Sequence, residues 1–173
     1  MDVTVLDTIK LSHDLIKLRV AFAQPVPHRS GQYCVLAVPG VPGKTYLSIA
    51  SPASDQPAMT FLIRLGDSPL DQALGKLKPG DVLEAEPPAG KFVPASDGEH
   101  LLFVAGGTGI APLLAMLRQC VEEGEPRPMQ LVYGVRHLQE LGFEAELQEL
   151  KEAGVAVTVI EDAPVQLESS WVN

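Results

Sequence analysis

Val3 and Val5 alternate with polar neighbours, and Leu18, Val20 and Phe22 alternate again after Leu15 and Ile16. A period of two marks a strand with one buried face. The same reading applies to residues 32–38, 44–50, 58–65 and 81–86. Turns such as QPVPHRSG, PGVPGK and LKPGD separate these runs. Six short strands with such turns predict a small antiparallel barrel or sandwich. Between the fifth and sixth strands, Ser68, Pro69 and Asp71 have the spacing of a helix start, and Leu70, Leu74 and Leu77 fit one helical face.

The pattern changes near His100. Residues 101–105 form a continuous apolar run, which predicts a strand buried on both faces. Leu113, Leu114, Leu117, Cys120 and Val121 then fall on one helix face, with a stop near Gly124. A second buried strand follows at 129–133. Phe143, Leu147 and Leu150 predict a second helix stopped by Gly154, and a third strand runs over 155–160. Strand–helix–strand–helix–strand spacing implies a parallel sheet. The division falls within 95–99, giving one domain over 1–96 and another over 97–173.

Composition narrows the function. The 173 residues are 46% hydrophobic and 20% charged, which excludes a chiefly disordered chain. With 13 Lys and Arg against 22 Asp and Glu, the net charge is −9, so nucleic acid and anionic membranes are not expected partners. Two cysteines, Cys34 and Cys120, can neither ligate an iron–sulfur cluster nor build a disulfide scaffold. They read as reduced, partly buried thiols of a cytoplasmic protein. The start shows no signal-peptide pattern, and the uncharged run over 101–117 is too short and too rich in Gly and Pro for a membrane span. His13, His28, His100 and His137 lack metal spacing. His13 and His28 read as surface loop residues, and His100 as a packing or edge residue. Glu144, Glu146, Glu149 and Glu152 read as a solvated helix face.

The segment LLFVAGGTGIAPLLAML carries the chemistry. A strand leads into Gly106, Gly107, Thr108 and Gly109, and a helix follows with Ile110 and Pro112 in its first turn. Glycines let backbone approach a ligand closely, and a helix N-terminus offers amides and a positive dipole end to a pyrophosphate. No P-loop lysine follows the glycines, which argues against ATP hydrolysis.

On those residues the chain resembles the ferredoxin–NADP reductase superfamily. FVAGGTGIAP resembles the start of its nucleotide domain. Ser30-Gly31-Gln32-Tyr33, Ser48-Ile49-Ala50-Ser51, Leu77-Lys78-Pro79-Gly80-Asp81, Pro88-Ala89-Gly90-Lys91-Phe92 and Tyr133-Gly134-Val135-Arg136 resemble further motifs in the family's order. The resemblance implies a β + α/β protein: a six-stranded antiparallel Greek-key flavin barrel followed by an incomplete Rossmann-like parallel α/β nucleotide domain. It implies hydride transfer from NAD(P)H to FAD and release of electrons to a small-molecule or protein acceptor. The alternative is a degenerate, non-catalytic module used in regulation or complex assembly.

In the family a motif R-x-Y-S holds the flavin. Ser48 matches its serine, placed to hydrogen-bond near the reactive nitrogen. Counted without a gap, Leu47 stands at the tyrosine and Thr45 at the arginine; counted with one extra residue, Lys44, Thr45 and Tyr46 match and Leu47 is inserted. The ungapped count is preferred, with Leu47 giving apolar contact to the ring and Ile49, Ala50 and Ser51 continuing the site. Phosphate neutralisation then falls to Lys44 or Arg64. Ser68 would present its hydroxyl and the short helix's amides to the flavin pyrophosphate, or cap that helix with Asp71. Arg136 would meet a ribose or a 2′-phosphate. The family's later C-G-P-type turn has no counterpart, since Cys120 falls mid-helix. The chain therefore reads as a fragment, a shortened paralogue or a subunit completed by a partner. Association through the incomplete sheet is expected; Trp171 reads as a disordered or packing residue, with a tail aromatic reaching the flavin as the alternative.

Overall fold

The computed structural model describes residues 1–161. Strands β1 (Asp2–Lys10), β2 (Leu15–Phe22), β3 (Tyr33–Ala37), β4 (Thr45–Ser48), β5 (Ala58–Arg64) and β6 (Val82–Ala85) form one antiparallel sheet in the order β4-β3-β6-β1-β2-β5. Its end strands meet: Ile49 bridges Phe61, and the Ala50 N–H donates to the Thr60 carbonyl at 2.8 Å. Closure of this kind satisfies backbone groups that an open sheet would leave at its edges.

Alternation sends successive side chains to different cores. Ile16, Leu18, Ile49, Phe61 and Ile63 pack inside the barrel. Their strand neighbours Leu15, Ala50 and Leu62 instead join the core of the second sheet. The outer face of β2 and β5 is therefore the barrel's apolar contact with the following unit. Helix α1 (Pro69–Leu74) lays Leu70 and Leu74 on the barrel core. Leu77 lies past its end but still packs there.

The second sheet is parallel, in the order β7 (Leu101–Gly106), β8 (Met129–Val135), β9 (Ala156–Glu161). Helices α2 (Ile110–Glu122) and α3 (Glu144–Glu152) bury Leu113, Leu114, Leu117, Leu147 and Leu150 against it. The expectation that β7 is buried on both faces fails. Phe103 and Ala105 are buried, but Leu102 is 62% and Val104 66% exposed, and Ile160 on β9 is 53% exposed. Among the described residues no helix covers that second face. An apolar run shows that a strand can be buried, but not how many layers are present to bury it.

Two further expectations are corrected. His28 is buried rather than on a surface loop. The Gln56 amide Nε2 donates to its Nδ1 at 2.7 Å, and its own Nε2 lies 3.3 Å from the Ser51 carbonyl, which assigns the ring proton to Nε2. Gln56 Oε1 accepts the Val26 N–H at 3.0 Å and so fixes the orientation of that amide. Glu146 is half-buried and paired with Lys17 rather than solvated. Both cysteines are free and buried. Trp171 lies outside the described residues.

Candidate functional site

Gly106 ends β7, and Gly107–Gly109 make one turn of 3-10 helix that runs directly into α2. Gly107 has φ +52°, a region that side chains resist. A methyl group at Gly106, Gly107 or Gly109 would meet no protein atom within 4 Å. These glycines therefore border open space rather than packed neighbours. The Ile110 N–H that opens α2 already donates to the Gly107 carbonyl, so the amides with no helical carbonyl one turn back are those of the 3-10 turn itself, Gly107 to Gly109, at the positive end of the helix dipole. Pro112 sits in the first turn, where a missing N–H costs nothing. Ile110 is fully buried and anchors the turn from below.

The open space is a crevice of about 560 Å³. Gly106, Gly107 and Thr108 form one wall. Gly134 and Arg136 at the end of β8, and Ile160 and Glu161 at the end of β9, form another. Gly134 pairs in register with Gly106, so two strands present bare backbone at the same level. The barrel contributes Arg64. Ligands of open α/β sheets collect outside the carboxyl ends of the strands, as this geometry requires.

On the barrel side, β4 pairs with β3 as Tyr33↔Ser48, Cys34↔Leu47, Val35↔Tyr46 and Leu36↔Thr45, with no bulge. Straight alternation then decides the faces. Leu47 opposite Cys34 is 8% exposed inside the barrel, so the apolar contact expected of it is not available on the outer face. The outer face instead carries Ser48 and Tyr46, which is 70% exposed and lies 5.9 Å from Tyr33 between ring centroids. Thr45 has the inward parity of Leu47. Ile49 and Ala50 are buried in the two cores, and buried Ser51 accepts the Thr60 N–H at 3.1 Å, so none of these three extends a side chain to solvent.

The candidate cations and caps already have partners. Arg64 Nη1 donates to Asp14 Oδ1 at 2.9 Å and Oδ2 at 3.0 Å, and Ser12 Oγ donates to Asp14 Oδ1 at 2.8 Å. Hydrogen bonds from Arg64, then Ser12, hold the Asp14 carboxyl below its usual range. Lys44 pairs with Glu86, whose hydrogen bond raises the lysine pKa. Ser68 Oγ accepts the Asp71 N–H at 3.1 Å and donates to Asp71 Oδ2 at 2.6 Å, a capping arrangement within α1. The crevice thus gathers Arg64, Gly106, Gly107, Thr108 and Arg136, while Ser68 is not among its lining residues. Sequence reasoning missed Glu161, which accepts the Leu138 N–H at 3.1 Å, and Asp14, which has no motif around it. A glycine-bordered crevice at a helix N-terminus fits an anionic dinucleotide, and the outward tyrosine of β4 fits a flat ring system.

Residues 103–171 match the family model described as the oxidoreductase NAD-binding domain. With the barrel before it, the chain has the fold of ferredoxin-NADP+ reductase, and its second unit matches that NAD-binding family. It is 33% identical over 144 residues to the reductase component DmpP of phenol 2-monooxygenase from Pseudomonas sp. (strain CF600), covering 82% of this chain and 40% of that protein. It is 32% identical over 171 residues to the reductase subunit of aromatic O-demethylase from Amycolatopsis sp. (strain ATCC 39116 / 75iv2), covering 93% of this chain and 51% of that one. The chain spans about half the length of the curated relatives it matches. The Amycolatopsis reductase GcoB superposes with a TM-score of 0.81 at 27% identity, over 95% of this chain and 54% of that chain. Ferredoxin-NADP+ reductase from Plasmodium falciparum shares the fold, with a TM-score of 0.78 at 17% identity over 92% and 69%.

Proposed function

We propose that the chain is the NAD(P)H-oxidising, FAD-binding part of an electron-transfer reductase. The observation that carries this reading is the open glycine turn at the N-terminus of α2, in a crevice that Arg64 of the barrel also lines. The flavin, when bound, supplies the chemistry of accepting a hydride from NAD(P)H and releasing electrons singly or in pairs. The protein binds and orients. The amides of Gly107, Thr108 and Gly109 receive the nicotinamide dinucleotide's pyrophosphate. Arg136 meets its ribose or 2′-phosphate. Tyr46 stacks beside the isoalloxazine, Ser48 donates its hydroxyl near the reactive nitrogen, and Arg64, held by Asp14, offsets phosphate charge. We set the division between the flavin domain and the nucleotide domain within 95–99, where Arg127 Nη1 donates to the Ala95 and Asp97 carbonyls. Relatives that serve as reductase components of oxygenases suggest a protein acceptor, an oxygenase or a ferredoxin; the two reduced, buried thiols suit a cytoplasmic location. The test is a visible spectrum of the purified chain with and without added FAD. Flavin absorbance that stays with the protein through gel filtration supports the reading; none at saturating FAD removes it.

A second reading, a non-catalytic module of the same fold, is favoured by Thr45 at the arginine position, by Lys44 held by Glu86, and by Ser68 and Asp71 capping each other. Bleaching of bound flavin by NADH or NADPH without oxygen would count against it. The uncovered face bearing Leu102, Val104 and Ile160, with the β7 edge beside it, is the surface for association with another polypeptide. A dimer mass in solution that Val104→Asp abolishes supports self-association; a monomer leaves a separate subunit as the occupant.

A further inference from the structure

The hairpin joining β1 to β2 contains no recognisable motif, yet it reaches the second sheet at several points. Lys17 on β2 extends toward the segment that leads into α3. Its Nζ donates to the Gly142 carbonyl at 2.9 Å and to Glu146 Oε1 at 3.2 Å, and lies 4.7 Å from the centroid of the Phe143 ring. The Lys17 side chain is only 20% exposed, so these contacts are poorly screened by water. Leu11, where the hairpin begins, fills the space beside Gly142. A methyl group on Gly142 would fall 2.3 Å from Leu11 Cδ1, and its φ of +64° also calls for glycine. Leu15 packs in the core beneath the parallel sheet. Asp14 holds Arg64 at the crevice.

These roles are mechanically linked. β2 pairs with β5 in the register Leu15↔Arg64 and Lys17↔Leu62. The grip on α3 and the crevice arginine therefore sit two positions apart on one hydrogen-bonded ribbon. On the other side of the seam, α2 is tied to the barrel by Arg118 to Asp55 at 3.0 Å and by Ser54 to Glu122 at 2.9 Å. Lys17 is the charged tie to α3 among the described residues. Without it the parallel sheet is held polar-to-polar chiefly along α2, and can rock about that line.

We propose that the β1–β2 hairpin is a latch that sets the width of the nucleotide crevice, with Lys17 as its positioning residue. The kinetic consequence rests on the flavin reductase reading above; the structural consequence does not. Hydride transfer is steeply sensitive to ring placement, and a shift of about 1 Å costs on the order of 100-fold in rate. Lys17→Met keeps the apolar stem and removes the charge, whereas Lys17→Arg keeps both charge and reach.

The experiment compares the three proteins, full-length and FAD-loaded. Amide hydrogen exchange over 142–147 should rise about tenfold or more in Lys17→Met and stay near wild type in Lys17→Arg. Flavin reduction at saturating NAD(P)H should slow about tenfold or more in Lys17→Met, with FAD affinity unchanged, and recover in Lys17→Arg. Unchanged exchange over 142–147 overturns the latch. So does a Lys17→Met protein with a lower Tm but the wild-type rate, because that pattern is loss of stability alone. If the wild-type chain takes up neither FAD nor nucleotide, the reductase reading fails, and the exchange comparison alone decides the latch.

Discussion

Replacing Gly106 by alanine separates the fold from the ligand. Gly106 has φ −131° and ψ 131°, ordinary extended backbone, and its new methyl would meet no protein atom within 4 Å. The substitution is thus free of strain, and the stiffer unfolded chain makes the protein more stable by about 0.5 kcal/mol. The same methyl projects into space that the crevice needs for a phosphate to reach the amides beyond it. Displacing one charge-assisted hydrogen bond costs about 1.5–3 kcal/mol, or roughly ten- to a hundredfold in affinity. Gly107→Ala is the contrasting variant: it also borders open space, but at φ +52° alanine costs about 1–2 kcal/mol of stability. Urea unfolding gives the stabilities, and calorimetric titration with NADH and NADPH gives the affinities. The expected pattern is a Gly106→Ala protein as stable as wild type or more so, with nucleotide binding weakened at least tenfold. Wild-type affinity in that intact protein would refute the placement of the phosphate.

Leu47→Ala should destabilise by about 2–4 kcal/mol, since Leu47 is 8% exposed in the barrel core. Tyr46→Ala should change stability by less than about 0.5 kcal/mol yet weaken FAD binding; a stable, flavin-deficient Leu47→Ala protein would reverse the two assignments. Burial pushes the Cys34 thiol up to about 12 and raises Cys120 as well, so neither should react with iodoacetamide at mildly alkaline pH until the protein unfolds. Mass spectrometry after a short pulse checks this, and rapid labelling of the native chain contradicts it. Hydrogen bonds from Arg127 hold Glu125 at about 2, against a usual value of 4.5. A lowered carboxylate contributes stability above its unfolded value and loses it as pH falls through the folded one. Glu125→Gln should therefore flatten the acid loss of stability between pH 4.5 and about 2; an unchanged slope means the pair contributes nothing.

Local pattern made much of this molecule legible. The alternation through β2 and the apolar spacing of α2 each follow from which face meets a core, and the strand–glycine–helix order located the crevice. Three things depended on distant partners instead. The tetrapeptide Thr45–Ser48 offers one aromatic and one aliphatic side chain on adjacent positions, and only the pairing of Leu47 with Cys34 decides which points inward. The run through Leu102 and Val104 is apolar enough for a doubly covered strand, but coverage is a property of layers elsewhere in the chain. Lys17, Asp14 and His28 look like ordinary polar positions, because the groups that engage them lie at Gly142, Arg64 and Gln56.

The most direct test of the central claim is an anaerobic titration of the FAD-loaded chain with NADH and, separately, NADPH, followed by visible absorbance. The two walls of the crevice should let a nicotinamide reach the flavin, so at least one nucleotide should bleach the oxidised flavin band at a rate that saturates with concentration. A flavin band that neither nucleotide alters, in a protein that dithionite reduces normally, would contradict the account.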